Sequence, residues 1–132
     1  MRARGPAAAL VATVLSATPV PPRTLPESAW GGDHAAVMAT ANGVRLDFDC
    51  AHGSIEGPVA IDADGRFDVR GVFAKESAGP VRRDASSGEA ARYVGRIDGD
   101  AMTLAIVLVG SDERVGGYTL QKDRRPRIHK CL

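Results

Sequence analysis

The sequence predicts an all-β fold, a single eight-stranded antiparallel up-and-down meander closed into a small barrel and held by one disulfide. Three observations predict it. Apolar and polar residues alternate with a period of two in several separate stretches, the mark of half-buried strands. Turn-forming residues split those stretches into neighbouring pairs. The chain's only two cysteines, Cys50 and Cys131, lie near the start of the strand pattern and at its end. No window carries an apolar helical face.

The strands follow in order. A first strand leads into Asn42-Gly43, a pair that tolerates positive φ and so favours a short hairpin. On the far side Val44, Leu46 and Phe48 alternate with Arg45, Asp47 and Asp49. Ile55, Val59 and Ile61 form the next stripe, and Phe67, Val69 and Phe73 the one after, alternating with Arg66, Asp68 and Arg70. Between them Ala63-Asp64-Gly65 fits a three-residue turn with Gly65 left-handed. That turn sets Ile61 opposite Phe67, Val59 opposite Val69 and Gly57 opposite Gly71. Asp98-Gly99-Asp100 joins a strand carrying Tyr93, Gly95 and Ile97 to one carrying Met102, Leu104, Ile106 and Leu108. The last pair spans residues 115–121 and 127–131. Closure of such a meander removes both exposed edges.

Gly57, Gly71 and Gly95 share the inward parity. They are expected to let strands bend, as small barrels require; hollowing out a ligand cavity is the alternative.

Residues 1–17 read as an export signal. Arg2 and Arg4 precede an apolar run with small residues at its end. The Pro-rich stretch 18–29 is expected to be a stiff linker, leaving residues 30–132 as one domain. Loss of residues 1–17 leaves 15 basic residues against 16 acidic, a net charge of −1. That balance argues against a nucleic-acid partner. The apolar run is too short for a membrane span, and charged residues on the outward strand faces exclude a membrane barrel. The expected product is an exported monomer, periplasmic or extracellular.

In a meander, odd and even connections lie at opposite ends. The tight turns at 42–43, 63–65 and 98–100, with 122–126, share one end. The other receives Cys50–Gly53, the long connection around residues 76–90, residues 110–114, the entering chain Trp30–His34 and the C-terminus. Loops on a rigid frame are where binding sites form. The candidate binding residues there are Trp30, His34, His52, Arg82, Arg83 and His129.

Cys50-x-His52 and His129-x-Cys131 are mirror images. Strand counting brings both to one rim, where the cysteines are expected to bridge as the chains leave the sheet. A structural zinc site with four protein ligands is the alternative, and would leave no open position for catalysis. Asp62-x-Asp64-Gly65 lacks the further ligands of a calcium loop. Ser54 and Ser111 lack the strand–turn–helix setting of a nucleophile. No catalytic residue and no cofactor is predicted.

The run Gly65-Arg66-Phe67-x3-Gly71, followed by Tyr93-x-Gly95-x3-Gly99 and Met102-x-Leu104, resembles small exported bacterial β-barrel domains, lipocalin-like and avidin-like in strand pattern. The resemblance covers residues 30–132. The chain lacks the tryptophan-rich lining of avidins and has Trp30-Gly31-Gly32 where lipocalins open on Gly-x-Trp, so neither ligand is carried over. The expected function is a non-enzymatic binding module that engages a small apolar or amphipathic ligand, or a protein partner, at its looped end. A secreted inhibitor or envelope interaction protein using residues 76–90 is the second expectation.

Overall fold

A computed structural model of the chain describes residues 23–76 and 88–131. Ten strands run through them: β1 (Arg23–Thr24), β2 (Ser28–Gly32), β3 (Ala35–Thr40), β4 (Gly43–Phe48), β5 (Ala51–Glu56), β6 (Ala60–Ile61), β7 (Arg66–Lys75), β8 (Glu89–Asp98), β9 (Ala101–Leu108) and β10 (Arg114–Lys122). Eight of them form a closed antiparallel barrel in the order β10-β2-β3-β4-β5-β7-β8-β9, while β1 and β6 pair apart from it. The up-and-down barrel and its disulfide are as the alternation predicts.

Period-two burial sets the interior. Val44, Leu46 and Phe48 of β4 point inward, as do Met102, Leu104, Ile106 and Leu108 of β9. Val37 and Ala39 of β3 and Leu120 of β10 complete the ring.

The eighth strand differs from expectation. Residues 127–131 form no strand and make only an isolated bridge between Arg127 and Asp33. The barrel is closed instead by β2, which pairs with β10 through Leu120↔Gly32, Gln121↔Gly31 and Lys122↔Trp30. β2 begins inside the stretch expected to be linker. The physical reason lies in Trp30, which is buried on the inward face and supplies apolar area that Arg127–Lys130 cannot. After β10 the chain therefore crosses the outside of the barrel as a strap. Gly31 makes room for it, since a Cβ there would overlap the Arg124 carbonyl oxygen and stand 2.9 Å from Pro126 N.

The turns at 63–65 and 98–100 form where expected, with Gly65 at φ +83° and Gly99 at φ +60°. Asp62 Oδ1 accepts hydrogen bonds from the backbone N–H groups of Asp64 and Arg66, an Asx turn that accounts for both aspartates. The first hairpin turns one residue earlier than the Asn-Gly signal implies, with Thr40 opposite Gly43. The pairing of Ile61 with Phe67 and Val59 with Val69 does not extend into a ladder. β5 meets β7 with Ser54 opposite Val72, two residues out of that register. The shift is absorbed at Gly57, whose φ is +76°, so Gly57 does not face Gly71. An even shift keeps every side chain on its face, so the core is untouched.

The inward glycines serve a third purpose besides bending or hollowing. A Cβ on Gly53 would overlap the Tyr93 hydroxyl, one on Gly71 would lie 2.8 Å from the Tyr93 ring, and one on Gly95 would lie 2.5 Å from Phe67 Cζ. Glycine leaves space that large aromatic rings then occupy. Tyr93 is fully buried, and its hydroxyl donates to Val72 O at 2.7 Å. The residual void between Leu46, Ile55, Phe67, Tyr93 and Leu104 measures about 20 Å³, room for roughly one water.

Candidate functional site

With the interior filled, chemistry can only sit at the two ends or on the outer surface. The looped end receives the Asp33–His34 and Asp49–Cys50 turns, the end of β7 and the start of β8, residues 109–113 and the end of the strap. The disulfide defines it. Cys50 occupies a tight turn at φ +53° and bridges to Cys131 across 81 positions, with Cα atoms 4.9 Å apart. The bridge forms outside the sheet, where both chains have left it. Because the two sulfurs are bonded to each other, neither is a thiolate ligand, and the four-ligand zinc reading falls with them.

Two ionic groups flank the bridge. In the first, Asp49 Oδ1 accepts the His129 backbone N–H at 2.7 Å, while Oδ2 lies 2.5 Å from His34 Nδ1, which donates to it. The rings of His34 and His129 are 6.5 Å apart between centroids. The His129 N–H is the main cause that holds the Asp49 carboxyl below the usual carboxylate range; desolvation opposes it, and the His34 ring adds to the lowering.

In the second, Lys130 Nζ donates to Glu76 Oε2 at 3.0 Å and to the Ala51 carbonyl at 3.1 Å, with Asp47 Oδ1 at 3.5 Å. His52 Nδ1 lies 3.1 Å from the other Glu76 oxygen. The Lys130 ammonium is the main cause of a lowered Glu76 carboxyl, with His52 adding to it. Both groups are exposed, so each pair contributes modestly and is screened by salt. Together with the disulfide they fasten the strap to two hairpin tips.

Below this rim lies an aromatic floor. Phe48 packs against Tyr118 with centroids 5.0 Å apart and against Phe73 at 6.0 Å. Burial raises the Tyr118 hydroxyl's pKa, and the charge of Asp49 above it adds to the effect.

Thus the structure brings together His34, His52, His129, Cys50 and Cys131 of the residues that the sequence singles out. Trp30 is not among them. It lies in the core at the opposite end, its indole N–H donating to Ser28 Oγ at 3.0 Å. It faces that end because β2, which carries it, starts there rather than serving as a lead-in at the rim. Arg82 and Arg83 lie outside the described residues. Asp49, Glu76 and Lys130 organise the rim and are missed by sequence reasoning. The one available signal was the acidic Asp47 and Asp49 beside Cys50, facing a basic C-terminal segment.

At the plain end, β1 pairs with β6 and Leu25 N donates to Val59 O at 2.8 Å, so the entering chain lies across the barrel mouth. A cleft of about 660 Å³ remains there, floored by Trp30, Leu25, Ile61 and Ile97 and edged by Arg23 and Lys122.

No protein-family model matches the chain, and no curated protein and no solved structure matches it either.

Proposed function

We propose that the protein is an exported, non-enzymatic interaction module that binds a protein partner through its looped rim. The observation that carries this reading is the filled interior. A void of about 20 Å³ is far below the roughly 300–1,000 Å³ of small-molecule sites, so a lipophile has no place in the lumen. What the looped end offers is a surface of exposed charged and imidazole groups held in place by the disulfide and the strap. A contact surface fixed in advance loses little conformational entropy on binding, which favours recognition of another macromolecule. The disulfide fits an oxidising compartment, in keeping with an export signal at residues 1–17. The lipocalin-like and avidin-like pattern then describes a shared scaffold and not a shared ligand.

The test is site-specific photocrosslinking in the exporting host, with the probe at exposed Lys75 on the looped rim or at Asp64 in a plain-end turn. The expected result is one discrete protein adduct from position 75, suppressed by excess unlabelled protein and absent from position 64. Equal adducts from both positions, or none from 75, would overturn the reading.

A second reading is favoured by one observation, the plain-end cleft of about 660 Å³. Its apolar floor and two cationic edges suit a small amphipathic anion. Native mass spectrometry of protein from its own host distinguishes the two, since a retained small molecule lost on Trp30→Ala would place the function there.

A further inference from the structure

The alternation that fills the barrel breaks at its plain end. Lys122 of β10 stands opposite Trp30, and Arg23 of β1 stands opposite Ile61. Directly opposed residues of an antiparallel pair send their side chains to the same face. Trp30 and Ile61 are both buried, so each cation is rooted on the side that faces the barrel mouth. Leu120, two residues before Lys122, is buried on that same face. Positions that alternation reserves for apolar side chains are thus held by cations on two separate strands. Departures of that kind from the local pattern mark functional sites.

The ion pairs among the described residues involve neither Arg23 nor Lys122. The cleft of about 660 Å³ that both of them edge is lined by no acidic residue. Asp100 meets Lys122 through its main-chain carbonyl, which accepts the Lys122 N–H at 2.8 Å, but it does not line the cleft. Two exposed cations therefore face one recess whose floor is apolar, a setting that favours an anion with an apolar body.

The floor fixes the shape of that body. Leu25 borders both the cleft and the void of about 20 Å³ beneath it, so its side chain stoppers the lumen. A long acyl chain would have to run down the barrel axis and finds no path. A short, broad body can lie across Leu25, Pro26 and Ile97 with its acid group at the cationic edge. The two edges also differ in how firmly they are held. Lys122 belongs to the closed barrel. Arg23 belongs to β1, fastened by two residue pairs to β6 and by the Leu25 N–H, which donates to Val59 O at 2.8 Å.

We propose that the plain-end cleft binds a short, broad organic anion, an aromatic carboxylate in its simplest form, whose acid group reaches both Arg23 and Lys122 and so clasps the entering chain onto the barrel. The inference rests on the plain-end reading given above and specifies its ligand. Guanidinium and ammonium donors make charge-assisted hydrogen bonds to a carboxylate, and the apolar body supplies the remaining affinity. A ligand that touches Arg23 only when β1 is docked stabilises the docked form by linkage.

The test titrates 2-naphthoate, its neutral isostere 2-naphthamide and the long-chain decanoate into the full, disulfide-bonded chain, followed by NMR. The expected result is that 2-naphthoate shifts Ile61 and Ile97 and slows exchange of the Leu25 amide, while the other two bind roughly tenfold more weakly. Arg23→Gln and Lys122→Gln, both at exposed positions, should each weaken 2-naphthoate roughly fivefold. Equal binding of 2-naphthamide, or indifference to both substitutions, would overturn the anion site. Decanoate that binds as tightly as 2-naphthoate would overturn the short, broad class and leave the cleft reading standing. Unchanged Leu25 exchange at saturation would overturn the clasp. No shift of Ile61 or Ile97 by any of these probes at millimolar concentration would overturn the proposal. The plain-end reading survives that last result only if protein from its own host retains a molecule that is lost on Trp30→Ala.

Discussion

Gly53 and Tyr93 make the packing argument quantitative. Adding a methyl group at Gly53 puts it on top of the Tyr93 hydroxyl, 3.0 Å from Tyr93 Cζ and 2.8 Å from the Val72 carbonyl oxygen. Tyr93 is fully buried, so the ring has nowhere to retreat except by breaking its hydrogen bond to Val72. Overpacking costs about 1–3 kcal/mol and the lost hydrogen bond about 1 kcal/mol, so Gly53→Ala should cost about 3 kcal/mol. Tyr93→Phe alone removes the hydrogen bond at about 1 kcal/mol. In the double variant the overlapping oxygen is gone and the hydrogen bond is lost only once. The residual crowding at Cζ and at Val72 leaves a cost of about 2 kcal/mol, against about 4 kcal/mol for independent effects. Urea unfolding of the four proteins, with the disulfide intact and followed by circular dichroism and Trp30 fluorescence, measures the cycle, with equal m-values as its control. Additivity within about 0.5 kcal/mol would refute the claim that this glycine exists to seat this ring.

Three further outcomes follow from the same contacts. Replacing both Cys50 and Cys131 by alanine opens a loop of 81 positions and should lower stability by up to about 4.5 kcal/mol while the barrel still folds, as read by urea midpoints. Gly31→Ala should push the strap off β2, so that the His34 and Arg127 amides exchange faster while Tyr93 stays protected; unchanged exchange at both would contradict the packing seen at Arg124. Acid should loosen the strap as well. Asp49 and Glu76 have carboxyl pKa values lowered in the folded protein, so their contribution is complete above the ordinary carboxyl value near 4 and is lost as pH falls through the lower folded values. Protection of the His129 amide should fall below about pH 4, and Asp49→Asn should remove that dependence at neutral and acid pH alike.

Much of the barrel was legible because alternation survives local error. Alternation marks the inward stripes of β4, β7 and β9 even where it does not give their partners, since a two-residue register shift at Gly57 leaves parity intact. The disulfide was legible because the chain after β10 runs back from the plain end to the rim that holds Cys50, and it does so as a strap where a strand was expected. The eighth strand was not. Ser28–Gly32 carries one large apolar residue followed by two glycines and comes after a proline-rich run, so its local pattern is weaker than that of Arg127–Lys130. Only the demand for a buried Trp30 against Val37 and Leu120 selects it, and that demand is tertiary. The same holds for Asp49, whose role depends on a backbone N–H 80 positions away. Such a bond leaves no mark on the residues around it.

The bridge between Cys50 and Cys131 also changes what a protease could do to this protein. Residues 50–131 form a covalent ring that includes β5 to β10 and the whole connection between β7 and β8. A single cut anywhere in that ring opens it without dividing the molecule, because every residue stays joined to the rest through the peptide backbone or through sulfur. A protein built this way can be nicked at its longest connection and remain one molecule.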